Sequence, residues 1–171
     1  MINTTTPFSL FEFQIEKEAK QWQIVNDGVM GGLSDSQVIW DEKEKTLFFS
    51  GNVSLENNGG FASTRTVPQD FPIEKFTTIK LRVKGDGKNY KFRMRNSNRF
   101  DGVAYSKTFE TTKGEWKEID IAVTDFDATF RGRVFPDYPK LNPADLQQVG
   151  FLIAGKQEGA FHLEVDWIKV E

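Results

Sequence analysis

Ten short runs of alternating, β-branched and aromatic residues, separated by turn-forming clusters, restrict the fold of this chain more than any other feature. The runs are SLFEF, QVIWD, TLFFSGNVSL, FASTRTV, TIKLRVK, YKFRMR, VAYSKTF, WKEIDIAV, QVGFLIA and AFHLEVDWIKV. Period-two patterning makes half-buried strands, and many such strands at short spacing make a sandwich or barrel. DEKEK, GDGKN, TTKGE and GKQEG supply Gly, Asp and Asn at the turns, where left-handed backbone is needed. Helical spacing is confined to EKEAKQW and to Asn142-Pro143-Ala144-Asp145-Leu146, where Asn caps and Pro opens a turn. The reading is a single all-β, antiparallel domain over residues 1–171, with 16 Phe and 4 Trp as core stock.

Composition removes much chemistry. With no Cys and one His, the chain has no thiolate nucleophile, Cys-ligated zinc, iron-sulfur cluster or multi-histidine metal site. A net charge of -3 is too balanced for general attraction to nucleic acid or anionic membrane, and no apolar run approaches a membrane span. No nucleic-acid partner and no membrane insertion are expected. Glu12, Glu16 and Glu18 lie where a presequence lacks acids, so the expectation is a cytoplasmic protein.

Several motifs carry weak chemistry. Gly150 to Gln157 outlines a P-loop, but Gln157 replaces the magnesium-holding hydroxyl and a hairpin follows, not a helix. His162, Glu164 and Asp166 alternate on one strand, too far apart to converge on an ion unaided. A calcium shared by Asp166 or Glu164 with Glu12 is the remaining geometry; otherwise no cofactor is expected. His162 with Ser34 or Ser36 does not form a nucleophile elbow, and no hydrolase activity is expected.

Charge and glycine patterns point to binding. Lys80, Arg82 and Lys84 alternate with Ile79, Leu81 and Val83; beyond Gly85-Asp86-Gly87, Lys91, Arg93 and Arg95 alternate with Phe92 and Met94. Read as a hairpin, this places six cations on one face, Arg82 opposite Lys91 and Lys80 opposite Arg93. Such a face needs neutralising, either by Glu118, Asp120, Glu164 and Asp166 or by an anionic partner. NDGVMGGLS, with Gly28, Gly31 and Gly32, prescribes a special backbone path. Arg131 and Arg133 of FRGR offer planar forks for carboxylate or phosphate.

Trp22, Val25 to Ser34, Gly60 to Arg65, Phe100 to Tyr105, Phe109, Gly114-Glu115-Trp116, Phe130 to Arg133, Gly150 to Ala154 and Phe161 to Ile168 together resemble the mitochondrial complex I intermediate-associated protein family, from about residue 8 onward. The resemblance implies a galactose-binding-like jelly-roll sandwich and a non-catalytic role in assembling a complex; the start of this chain reads as a departure from the mitochondrial members, so a stand-alone member without a presequence is expected. The expected binding residues are Asn26, Asp27, Met30, Arg65, Tyr105, Arg131 and Arg133, helped by Arg82, Arg93 and Arg95, and the expected ligand is a protein partner. The alternative is a carbohydrate-binding module of the same fold, with Trp40, Tyr90, Tyr138 and Trp167 as candidate sugar platforms.

Overall fold

Alternation along the strands decides which side chains fill the interior, and the interior decides the layers. The computed structural model describes residues 2–3, 6–26, 32 and 34–171. It contains strands β1 (Ile2–Asn3), β2 (Phe8–Phe11), β3 (Trp22–Asn26), β4 (Asp35–Asp41), β5 (Thr46–Val53), β6 (Ala62–Thr66), β7 (Ile73–Lys75) and β8 (Thr78–Lys84). These continue as β9 (Asn89–Arg95), β10 (Ala104–Glu110), β11 (Trp116–Ala122), β12 (Asp127–Phe130), β13 (Arg133–Val134), β14 (Gln148–Ile153) and β15 (Gly159–Val170), with one short helix, α1 (Glu16–Ala19). A 3₁₀ turn over Pro143–Asp145 is capped as its sequence requires, the Asn142 side chain accepting from the Ala144 amide.

Two antiparallel sheets result. One runs β13-β12-β10-β9-β14-β6-β3 and the other β11-β8-β15-β5-β4, with β2 also paired to β15. A small parallel pair, β1 with β7, stands apart. Between the two large sheets lies a core in which Phe92, Met94, Phe151 and Ile153 of the first meet Leu47, Phe49, Leu81, Val83, Leu163 and Val165 of the second. All ten of these are fully buried. Phe151 sits at the aromatic centre, its ring 5.8 Å from Trp22, 5.3 Å from Phe92 and 6.2 Å from Phe109. The strand pattern left a sandwich or a barrel open, and the sandwich that the family resemblance implies is what the chain adopts.

The basic hairpin is not. β8 and β9 lie in different sheets, and the turn between them is a crossover. Gly85 has no room for a side chain, since a Cβ there would fall 2.4 Å from Thr111, and its carbonyl accepts from the Gly114 amide. Asp86 then clamps the crossover, its carboxylate accepting from the Tyr90 hydroxyl, the Lys88 amide and the His162 amide. Turn chemistry marks where a chain reverses, and the same residues serve a hairpin or a sheet-to-sheet corner. Arg82 therefore never faces Lys91, nor Lys80 Arg93, and the six cations divide between the outer faces of opposite sheets.

Candidate functional site

On the six-stranded sheet the β8 cations meet carboxylates from both neighbours. Antiparallel register sets Lys80 opposite Asp120 and Arg82 opposite Glu118 on β11, and Lys84 opposite Glu164 on β15. Lys80 lies 3.0 Å from Asp120 and 3.3 Å from Glu171, Arg82 3.0 Å from Asp166, and Lys84 3.5 Å from Glu164. Hydrogen bonding to Asp120 raises the Lys80 pKa above its ordinary value, against a smaller opposing effect of desolvation. Arg82 and Lys84 also lie over the Trp116 ring. Arg82 is thus a structural mate of acids, not a free ligand contact. Asp166, the candidate calcium ligand, is taken by Arg82. Glu12 is exposed, with its amide donating to Glu18. Among the described residues no group of three His, Asp or Glu side chains is placed to hold a metal ion.

Arg82→Gln is expected to lower stability by about 1 kcal/mol, because it leaves the Asp166 and Glu118 carboxylates without their cation at a partly buried position. A urea melt measures it.

The seven-stranded sheet carries the opposite arrangement. One row across it reads Gln23, Arg65, Gly150, Arg93, Ser106, Asp127, and Arg95 lies beside Gln148 in an adjacent row. All three arginines alternate with buried Thr64, Thr66, Phe92 and Met94, so they occupy the face away from the core. Gly150 makes their approach possible, since a Cβ there would lie 2.5 Å from the Thr64 carbonyl and 2.8 Å from Arg65 Cβ. Only a hollow of about 10 Å³ is left over it, room for roughly one water.

The loop joining β9 to β10 folds onto this layer and is tied down by it. Arg65 Nη2 donates to the Phe100 carbonyl at 2.7 Å, Arg95 Nη1 to the Gly102 carbonyl at 2.6 Å, and Gln148 Nε2 to the Ser97 carbonyl at 2.8 Å. The Arg65 guanidinium also covers the Phe100 ring at 4.6 Å, while Phe100 itself is 61% exposed. These acceptors are neutral, so the arginines gain hydrogen bonds and lose none of their charge.

The electrostatic consequence is large. Arg65 and Arg95 are only 7% and 8% exposed. Burial, and after it Arg65, pushes the Arg93 guanidinium down to about 10; burial, then Arg93 and Arg65, pushes Arg95 down to about 9. Arg65 shifts the same way by burial, opposed by Asp101. Arg93 and Arg95 stay protonated at neutral pH. Because folding lowers these pKa values, the charge is a cost to the folded state that is full at neutral pH and fades as pH rises through about 9 to 10. Asp101 is the carboxylate that acts on Arg65 and Arg95. It is itself exposed and bonded at 2.7 Å to Arg131 Nη2, and that bond chiefly holds its carboxyl below the usual range.

The remaining candidate residues are spread more widely. Arg131 stands at the turn after β12 with φ of 51°, at the rim of the arginine layer, and Arg133 is exposed on the edge strand β13. Tyr105 has the parity of Met94 and Ala128, so it points to the core side, where its hydroxyl donates to the Pro139 carbonyl at 2.6 Å. Its place is structural. Asn26 ends β3 in register with Ala62, but its side chain, Asp27 and Met30 lie outside the described residues, as do Gly28 and Gly31. Of the aromatic candidates, Tyr90 is buried, Trp40 donates Nε1 to the Phe13 carbonyl beside the core, and Trp167 lies on β15 under Lys169. Tyr138 is exposed and packs beside Tyr105. Sequence reasoning missed Gln148, Gly150 and Asp101 as parts of the site; the signal available for Gly150 was a glycine inside an otherwise apolar strand, which marks close backbone approach.

A family model described as Complex I intermediate-associated protein 30 (CIA30) matches residues 11–165. The mitochondrial complex I intermediate-associated protein 30 of Mus musculus is 24% identical over 180 residues, covering 94% of this chain and 55% of its own length. A probable counterpart from Caenorhabditis elegans, also named mitochondrial, is 26% identical, with 94% and 53% covered. The chain thus spans about half the length of the curated relatives it matches. Among solved structures, a family 11 carbohydrate-binding module of a Clostridium thermocellum cellulosomal cellulase superimposes with a TM-score of 0.71 at 16% identity, over 98% of this chain and 95% of that one. The same module type in complex with a mixed-linked tetrasaccharide gives 0.68 at 17%, over 96% and 94%. At such identities the likeness is one of fold: a jelly-roll sandwich.

The relatives overturn the cytoplasmic expectation, since they are named mitochondrial proteins. The physical reason is visible in the structure. Glu16 and Glu18 belong to α1, and the Glu18 carboxylate accepts from the amides of Glu12 and Gln14, so these acids shape the folded domain and carry no information about targeting. The matched family model covers nine-tenths of the sequence, both sheets included, and the chain belongs to the complex I intermediate-associated protein 30 family.

Proposed function

We propose that this protein is a non-catalytic binding module that holds a protein partner during assembly of a complex, docking it on the arginine face of the seven-stranded sheet. The observation that carries the reading is the uncompensated charge there: Arg65 and Arg95 are buried with the partly buried Arg93 between them, all three are desolvated, and the carboxylate that acts on Arg65 and Arg95, Asp101, is exposed and already bonded to Arg131. A domain that keeps such a cost in its folded state has it offset when a complementary surface arrives. Arginine beside an exposed aromatic, here Phe100, is also the composition that dominates binding energy at protein interfaces. The names of the mouse and nematode relatives support an intermediate of complex I as the class of partner.

Sugar binding on this face has less support, because Tyr90 and Trp40 of the four aromatic platform candidates are held in or beside the core, and Phe100, an exposed ring on this face, is already covered by Arg65. Hydrolysis has less still: His162 stacks on Phe48, and the Ser34 hydroxyl is engaged with the Ser54 backbone.

Tagged protein purified from cells that build complex I is expected to bring complex I subunits with it, in a salt-sensitive manner. Arg93→Gln should reduce that recovery at least roughly tenfold while stability holds or rises. Retention of full recovery by Arg93→Gln would remove the arginine face from the interaction; a saturable glycan-array signal without complex I subunits would replace the reading by the carbohydrate one.

A further inference from the structure

We propose that the Arg93 guanidinium, set between Arg65 and Arg95 beside Gly150, is the seat for one carboxylate presented by the docked protein. The assignment rests on the docking reading above and adds the chemistry the partner must bring.

Arg93 differs from its neighbours in being uncommitted. Arg65 and Arg95 spend N–H groups on the carbonyls of Phe100 and Gly102. No hydrogen bond or ion pair engages the Arg93 side chain among the described residues; its Nε is buried without a partner, as is that of Arg65, but Arg65 has its Nη2 engaged. A guanidinium presents five donors in a planar fork that matches the two oxygens of a carboxylate. The two flanking cations raise the positive potential at that fork without competing for the ligand's lone pairs on equal terms, since their own donors are partly occupied.

Among the described residues no internal acid fills the seat. Asp101 is bonded to Arg131. Asp127 ends the same row, separated from Arg93 by Ser106, which puts two strand spacings, about 10 Å, between their backbones, and it is exposed. A phosphate would match the same fork, but an unmodified protein surface presents carboxylates, so the docking reading selects a carboxylate and makes phosphate the competing arm of the test. One carboxylate at the mouth of that layer, with the exposed Phe100 ring as an apolar wall, fits the donors that are free.

The experiment is nitrogen-detected NMR of the arginine Nε–H groups of the full chain, titrated at constant ionic strength with N-acetylglutamate amide. Inorganic phosphate and the mixed-linked glucan tetrasaccharide form separate arms. The expected result is a one-site, saturable shift of the Arg93 signal with the carboxylate, absent at Arg131, and at least a tenfold weaker response at Arg65 and Arg95 in Arg93→Gln. A response only proportional to concentration, equal at Arg93 and Arg131, overturns the seat, and this holds on the wild-type protein whatever the variant does. Saturation by phosphate or the tetrasaccharide but not by the carboxylate overturns the ligand class. The two readings also fail separately. Loss of complex I recovery in Arg93→Gln without a saturable carboxylate response retires the seat alone. A saturable response with recovery unchanged retires the docking reading, and with it the partner as the source of the carboxylate.

Discussion

Phe151→Ala is expected to remove a large share of this protein's stability. The ring is fully buried between the sheets and touches aromatic neighbours on three sides, Trp22, Phe92 and Phe109. Removing it forfeits the transfer of a large apolar group from water and leaves a cavity that three rigid rings cannot close. Phe→Ala changes of this kind cost about 3–5 kcal/mol, a large fraction of the roughly 5–15 kcal/mol that holds a domain together. In a domain of this size the melting temperature should fall by about 10 °C. Phe151→Leu, which keeps most of the volume, should recover more than half of that. A Phe151→Ala protein melting within a degree or two of wild type would mean that the sheets collapse onto the cavity, and that the aromatic cluster does not set their spacing.

One residue earlier the expected damage comes from adding atoms. Gly150→Ala puts a methyl 2.5 Å from the Thr64 carbonyl oxygen and 2.8 Å from Arg65 Cβ, and neither is the far end of a flexible side chain. β14 must move away from β6, which strains the pairing of Gly150 with Arg65 and Leu152 with Ser63. We expect a loss of about 3 kcal/mol, at the upper end of overpacking costs, together with faster amide exchange in β6 and altered Nε–H signals of Arg65 and Arg93. Gly102→Ala is the control. Its Cβ would meet nothing nearer than 3.9 Å, and its effect should stay within about 0.5 kcal/mol. Equal behaviour of the two variants would show that the sheet yields at Gly150 and that the arginine layer does not depend on a bare backbone beneath it.

Much of this architecture was legible in the residues themselves. Tyr90, Phe92 and Met94 alternate with Lys91, Arg93 and Arg95, and the structure buries the first set. Strands such as β12 and β13 were hidden because four and two residues, broken by Arg131-Gly132, cannot show a period. β3 was hidden because Trp22 to Asn26 directly follows the helical EKEAK pattern. Pairing is a harder problem than periodicity: alternation says which face a side chain takes, and nothing in Gly85-Asp86-Gly87 says which sheet the next strand joins. That gap is why the six cations read as one patch. The acids that neutralise Arg82 come from β11 and β15, more than 30 and 80 positions later in the chain, and only the assembled sheet reveals that Arg93 has no such mates among the described residues.

The place of β15 in its sheet has a consequence for biosynthesis. It is the final strand, yet it lies between β8 and β5 and also receives β2, so the six-stranded sheet has no middle until residues 159–170 are made. From residue 84 to residue 159, at about 5–20 residues per second, the inner edges of β5 and β8 stay unpaired for roughly 4–15 seconds on every nascent chain. Those edges carry Leu47, Phe49, Leu81 and Val83, the residues that later form the core. A protein proposed to shelter incomplete assemblies is therefore itself, during translation, an open sheet dependent on whatever shields it until its last strand arrives.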